Sequence, residues 1–172
     1  MSLRFPILVF DIETLTDLKA GAHLYHLDLP EADVDQALTK IRRQESGMDF
    51  QRLPLHEIVC ISGLWIDEKG FRLFSFSQEQ NTEAELLSKF LSIFDKKQPT
   101  LISWNGSQFD LPVILFRAMY HGLSAPSLFD QGEIDQQKRF NNYQNRYHHR
   151  HVDLMDVMAM FNGRHFQKLD DI

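Results

Sequence analysis

The sequence predicts an α/β domain, a mixed sheet layered with helices. Three observations carry that reading. Apolar runs of strand length open the chain and recur later as "EIVCISGLWID", "GFRLFSFS" and "TLISWNG". Segments with apolar residues at helical spacing lie between and after them. The resulting order is three strands, a helix, a strand and further helices, which is how a sheet comes to be covered by helices.

The first strand, "ILVFDIETLTD" at residues 7 to 17, runs from apolar residues into Asp11 and Glu13. Residues 15 to 54 form a long connection with a helix expected from Glu31 to Glu45, where Val34, Leu38 and Ile41 share a face; it reads as an insertion or cover. "EIVCISGLWID" and "GFRLFSFS" are strands joined across Asp67 to Gly70, a hairpin composition, and with the first strand they make an antiparallel meander. "NTEAELLSKFLSIFDKK" starts on a capping box, Thr82 with Glu85, and carries Leu86, Phe90, Ile93 and Phe94 on one face, so it is a helix ending near Pro99. "TLISWNG" is a short buried strand and "FDLPVILFRAMYHG" a helix, apolar almost all round, with Pro112 near its first turn and Gly122 at its end. Residues 124 to 151 are polar and irregular. "VDLMDVMAMF" is a helix with Asp153 as N-cap and Asp156 three residues on. "FQKLDDI" looks like a helix just beginning, without a C-cap, so the expectation is one domain over 1–172 that is incomplete at its C-terminus.

At 172 residues, 43% hydrophobic and 24% charged, the chain has the composition of an ordinary globular domain, with no repeat or low-complexity linker. Its net charge of -6 gives no basic field to advertise nucleic-acid binding, but an enzyme that holds cations between carboxylates can be acidic and still take a polyanion. The single cysteine, Cys60, excludes an intrachain disulfide and reads as a small buried thiol. The N-terminus reaches acids before an apolar segment can form, and no run approaches the roughly eighteen apolar residues of a membrane span. The expectation is a cytoplasmic protein with no membrane partner.

Along a strand side chains alternate, so Asp11 and Glu13 share a face while Ile12 points into the opposite layer. Two like charges raise each other's pKa and cost free energy unless a cation or proton lies between them. Asp110 stands where the helix after "SWNGSQF" begins. There the helix dipole favours an ionised carboxylate, which is either a cap or a ligand. Three carboxylates at two strand ends can converge on a hard divalent cation, with Mg2+ or Mn2+ the natural choice for oxygen donors.

"FDIET" followed by "NGSQFDLP" resembles the first two motifs of the 3'-5' proofreading exonuclease domain of family B DNA polymerases, within the four-carboxylate (DEDD) exonucleases. The likeness is to a bacterial family of predicted 3'-5' exonucleases related to that domain. It extends through "LPLHEIVCISGLWI", "SFSQEQNTEAELLSKF", "PTLISWNGSQFDLPVILFRAMYHGL" and "RYHHRHVDLMDVM". The resemblance implies a ribonuclease H-like mixed sheet of about five strands flanked by helices, with the last helix missing or truncated. It also implies metal-dependent hydrolysis of single-stranded nucleic acid from the 3' end, DNA ahead of RNA as substrate. By it, Asp11 bridges two divalent metals, Glu13 binds one and orients the attacking water, and Asp110 holds the second. Two ions roughly 3.5 to 4 Å apart stabilise the entering and leaving oxygens of an in-line attack on phosphorus. Thr14 and Leu15 match positions that contact the 3'-terminal nucleotide, and Asn105 the asparagine lying against the strand. Phe109 either stacks on a base or packs in the core.

The family's third motif, a Tyr with an Asp four residues later, is not matched by Tyr25, Tyr120, Tyr143 or Tyr147. The chain alone is therefore expected to form at most one good metal site. His148, His149 and His151 lack the partners and spacing of a zinc site and read, with Arg146 and Arg150, as exposed or phosphate-contacting side chains. Two other functions fit parts of the pattern. A non-catalytic nucleic-acid or protein-binding domain on a degenerate nuclease fold has no reason to keep mutually repelling acids. A phosphatase with an aspartyl nucleophile also begins with a strand and an acid-x-acid turn, but gives no account of "NGSQFD".

Overall fold

The computed structural model describes residues 4–172, so the first three residues of the N-terminal stretch lie outside the description. β1 (Ile7–Thr16), β2 (His56–Asp67) and β3 (Gly70–Ser77) form the expected antiparallel meander. β4 (Thr100–Ser103) runs parallel to β1, and β5 (His151–Asp153) parallel to β4. The five-stranded sheet has the order β3-β2-β1-β4-β5. This mixed sheet flanked by helices is the α/β, ribonuclease H-like arrangement that the resemblance implied.

Alternation along β1 buries Leu8, Phe10 and Ile12 on one side. They join Ile58 and Ile61 of β2 and pack against Leu86, Leu87, Phe90 and Phe94 of α3 (Glu83–Lys97) and Val113 and Ile114 of α4 (Asp110–Tyr120). Phe10 meets Phe90 at 5.3 Å between ring centroids, and Phe90 meets Phe94 at 5.2 Å. The expected capping box forms: Thr82 Oγ1 accepts from the Glu85 amide, and the Glu85 carboxylate accepts from the Thr82 amide at 2.8 Å. α3 stops at Gln98, which adopts left-handed backbone (φ 43°) directly before Pro99.

The long connection holds two helices. α2 (Glu31–Ser46) matches the expected helix and buries Val34 and Leu38. α1 (Leu18–Leu24) goes beyond the sequence expectation, because its seven residues are too few for a periodic signal; Asp17 caps it, accepting from the Ala20 amide at 2.8 Å. The hairpin closes between Asp67 and Gly70, and the positive φ of Gly70 (122°) is the reason for glycine there.

Three expectations are corrected. β5 lies where the sequence suggests irregular and helical structure, since three residues, two of them polar, show no period. The helices after α4 are short, α5 (Pro126–Phe129) with four residues and α6 (Leu154–Met158) after β5 with only five, and the C-terminal "LDD" is a single 3-10 turn. Cys60 is half-buried rather than buried: it lies on the outer face of the sheet beside Ser62 and Ser75, with Sγ 3.1 Å from Ser75 Oγ. α4 is apolar almost all round, as expected, but it buries one charge. Its Arg117, 2% exposed, pairs with Asp17 at 2.7 Å and Glu83 at 2.5 Å. Glu83 also accepts from the Ile58 amide at 2.7 Å, so one ionic cluster ties the end of β1, the start of α3, β2 and the helix that begins with Asp110. Burial pushes the Glu83 carboxyl up, but its bonds to Arg117, His121 and the Ile58 amide outweigh it and hold the carboxyl below its ordinary range. No helix among the described residues is long and apolar enough to cross a membrane.

Candidate active site

The parallel register of β1 with β4 pairs Ile7 with Thr100, Leu8 with Leu101 and Val9 with Ile102, and then β4 ends while β1 runs on. The residues of β1 beyond that point have no β4 partner, and the Ile12 amide is free to donate to the Asp110 carboxyl. On the other side the β1–β2 register slips between Glu13, opposite Cys60, and Thr14, opposite Ile58. Such a bulge re-aims the side chains beside it. Asp11 and Glu13 are exposed above buried Phe10 and Ile12, on one face as the alternation required.

Asp110 is the first residue of α4; the N-cap position is held by Phe109, without a side-chain cap bond. The expectation of an ionised cap is therefore corrected. Asp110 is 3% exposed, and burial, then the charge of Asp11, push its carboxyl up to about 7, against the lowering effect of its own amide and that of Ile12; Asp153 adds a smaller upward push. Burial outweighs the helix dipole. The Asp11 carboxyl is also raised, by burial first and by Glu13 second. Asp11 thus sits close enough for its charge to act on Asp110.

The loop from β4 to α4 is shaped by residues whose part in it the sequence does not announce. Asn105 has left-handed backbone (φ 62°), which Asn tolerates better than most residues. A Cβ on Gly106 would fall 2.3 Å from Ser103 Oγ and 3.6 Å from Asp110 Oδ2, so only glycine lets the chain close beneath the carboxyl. Asp153 is a helix cap, as expected, accepting from the Met155 amide at 3.2 Å. It also clamps the loop, for Oδ1 accepts from the Asn105 amide at 2.8 Å, and Oδ2 from the Ser107 amide at 3.0 Å and hydroxyl at 2.6 Å. β5 brings it there by pairing Asp153 with Ser103. Only the neighbouring strand reveals this, and a three-residue strand leaves no mark in sequence. Beside it, burial pushes the His151 ring down to about 4, so it is neutral, with Nε2 2.8 Å from Ser103 Oγ.

Among the expected contact residues, Asn105 stands in this loop with its Oδ1 buried and without a hydrogen-bond partner among the described residues. Thr14 Oγ1 lies 3.0 Å from His56 Nδ1. Leu15, 64% exposed, is on the face of the acids. Phe109 packs against the core, meets His56 edge-on and lies tilted against Phe50. The basic stretch is less available than expected. Arg146 pairs with buried Asp156 at 2.5 Å, Arg150 lies over the Tyr143 ring at 5.4 Å, and His148 Nδ1 accepts from the Asn142 amide at 3.0 Å.

Among the described residues no three His, Cys, Asp or Glu side chains already stand close enough to hold a metal ion. The donor set nevertheless fits a hard divalent cation. All donors are carboxylate oxygens, and two of the carboxyls are pushed toward holding protons that a cation would displace.

The sequence profile of the predicted 3'-5' exonucleases related to the exonuclease domain of the family B polymerase PolB matches residues 48–172. A DNA polymerase of Pyrococcus glycovorans is 27% identical over 143 residues, 78% of this chain and 14% of its own length. DNA polymerase 1 of Saccharolobus solfataricus is 36% identical over 69 residues, 40% of this chain and 8% of its own. The chain thus spans only a small part of each relative. Among solved structures, the family B DNA polymerase of Pyrobaculum calidifontis aligns with a TM-score of 0.48 at 16% identity, covering 94% of this chain and 16% of that one. Exonuclease I in its apo form aligns with a TM-score of 0.48 at 12% identity, covering 90% and 30%.

Proposed function

The chain belongs to the family of predicted 3'-5' exonucleases related to the exonuclease domain of PolB, and from that premise we propose that it hydrolyses single-stranded nucleic acid from the 3' end, DNA in preference to RNA, in a metal-dependent reaction. The observation that carries this reading is the placing of buried Asp110 within reach of the charge of Asp11, with Glu13 on the same face of β1; burial first and Asp11 second push the Asp110 carboxyl up to about 7. Carboxyls are brought together at such a cost where a cation is to be held. Asp11, Glu13 and Asp110 would hold Mg2+ or Mn2+, two ions in a full four-carboxylate site, and ions there supply a water of lowered pKa and neutralise charge on the phosphoryl oxygens. Asp153, the next carboxylate, is committed to the loop, so the three acids would hold at most one ion well.

The remaining work belongs to the protein's own groups. Asn105 Oδ1 is unpaired among the described residues, and a turn of its side chain would let it accept from a donor on the substrate strand. The free nitrogen–hydrogen of the neutral His56 ring goes to the Gln51 carbonyl, 3.3 Å from Nε2, so Nδ1 accepts the Thr14 hydroxyl proton and the lone pairs of Thr14 are left for a sugar hydroxyl. Leu15 offers apolar surface on the acid face. The test is a pair of oligonucleotides labelled at the 3' or the 5' end, as DNA and as RNA, incubated with Mg2+ or Mn2+. Slow stepwise shortening from the 3' end is expected, and Asp11→Ala should abolish it without loss of folding. Internal cleavage, 5'-3' polarity, or full activity of Asp11→Ala would overturn the proposal.

A further inference from the structure

We propose that the open edge of β3, with the groove between it and the last turn of α3, docks an extended acidic segment of a partner protein, which adds to the sheet as a further strand. The proposal does not rest on the exonuclease reading. β3 ends the sheet and has no strand on its other side among the described residues. The β2–β3 register is unbroken from Cys60 opposite Ser77 to Asp67 opposite Gly70, and just past it the Gln78 amide donates to the Val59 carbonyl at 2.9 Å. Antiparallel pairing alternates residue by residue, so Arg72 and Phe74 bond to β2 while the amides and carbonyls of Phe71, Leu73 and Ser75 point to the open side. The side chains there are apolar and lie in solvent, Phe71 at 74% exposure and Leu73 at 79%. An open row of backbone groups flanked by apolar side chains is a template for another strand.

The groove receives the other face of that strand. It has a volume of about 890 Å3 and lies between the sheet and the end of α3, with Trp65, Phe74 and Ile93 as its apolar floor. Residues opposite one another on paired strands share a face. A segment paired with β3 therefore lays alternate side chains beside Phe74 and into the groove, and the intervening ones beside Leu73 on the outer face. The rim sets the charge of the occupant. Arg72 is paired with Asp67 at 2.6 Å, which leaves Lys69, Lys96 and Lys97 against Glu68, and none of the three ammonium groups meets a carboxylate among the described residues. A cationic rim on a chain of net charge -6 selects an acidic partner. A second copy pairing through the same edge would bring two such rims together. A nucleic-acid strand would satisfy the lysines and leave the row of amides and carbonyls unpaired. The groove lies at the end of β1 where Ile7 is opposite Ile66, and Asp11 is about 13 Å further along the strand, so a docked partner leaves the acids open.

The test is binding of a fluorescein-labelled peptide of alternating valine and threonine with a pair of aspartates at each end, read by anisotropy, together with amide hydrogen exchange of the protein followed by NMR. The peptide should bind wild type, and Lys96→Glu combined with Lys97→Glu should weaken it about ten-fold or more while circular dichroism stays native. Lys69→Glu, in the hairpin turn and outside the helix, should weaken it in the same direction. A peptide with lysines in place of the aspartates should show the reverse preference. Exchange at the Phe71 and Leu73 amides should slow about ten-fold on binding, with the Arg72 amide unchanged. No binding below about 1 mM peptide, equal affinity for the two peptides, or unchanged exchange at Phe71 and Leu73 would overturn the proposal. So would displacement of the peptide by a single-stranded oligonucleotide that depends on the same lysines, which makes the groove a nucleic-acid surface. Sedimentation of the protein as a dimer that the lysine substitutions dissociate would overturn it too, since the edge is then a contact between copies.

Discussion

Replacing Asp110 by Asn keeps the shape of the side chain and removes its titration. A carboxyl that ionises near 3.8 in the unfolded chain ionises near about 7 in the folded one. Below pH 3.8 both states hold the proton and the full contribution is present. Between the two values the unfolded state has released its proton and the folded state has not, so stability falls as pH rises, and the contribution is gone above the folded value. The gap from 3.8 to about 7, at ~1.4 kcal/mol per unit, is about 4 kcal/mol, and at 3% exposure little solvent screening reduces it. Asn retains an acceptor for the Ile12 amide. In EDTA, Asp110→Asn should therefore be more stable than wild type by about 4 kcal/mol at about pH 8, with the difference shrinking toward zero at about pH 4. Urea denaturation across that range measures it, and Mn2+ at about 100 times its Kd should restore about 2.7 kcal/mol to wild type alone. A difference that is independent of pH, or a variant less stable than wild type at the alkaline end, would refute the reasoning.

Two further predictions concern the supports of the site. Arg117→Met should destabilise the fold by about 3–5 kcal/mol in urea denaturation, because Asp17 and Glu83 lose their buried counter-ion, and adding Glu83→Gln should recover part of the loss. Asp153→Ala should free the Asn105 and Ser107 amides, costing about 1–3 kcal/mol for each buried donor left unpaired; oligonucleotide shortening should then slow in kcat by roughly ten-fold or more while circular dichroism keeps its native shape.

The meander, α2, α3, β4 and α4 are legible in the sequence because each rests on a local rule: alternation, a capping box, helical spacing, or a turn that needs glycine. α1, β5 and the shortened α6 are not, since elements of seven, three and five residues carry too little period to detect and owe their form to neighbours. The acids are legible as a pair because alternation fixes their shared face. The ionisation of Asp110 escapes the sequence for a definite reason: the helix dipole is visible there, while the burial that overrides it is not. Likewise Arg146 and Arg150 look like a basic surface until Asp156, Tyr143 and Gln98 are found against them.

By itself the sequence determined which side chains are chemically unusual, Asp11, Glu13 and Asp110, because charge, alternation and motif spacing are properties of the chain. Tertiary structure decided what they cost and what holds them. The end of β4 opens the Ile12 amide, Asp153 reaches across from β5 to clamp the loop, and Arg117 is buried between acids from two other elements. The contact of Phe50 with Phe109, far from it along the chain and against it in space, belongs to the same class. These are contacts between distant residues in a dry interior, where the cost of an unpaired charge or donor is set by what lies across the gap and by no residue alone.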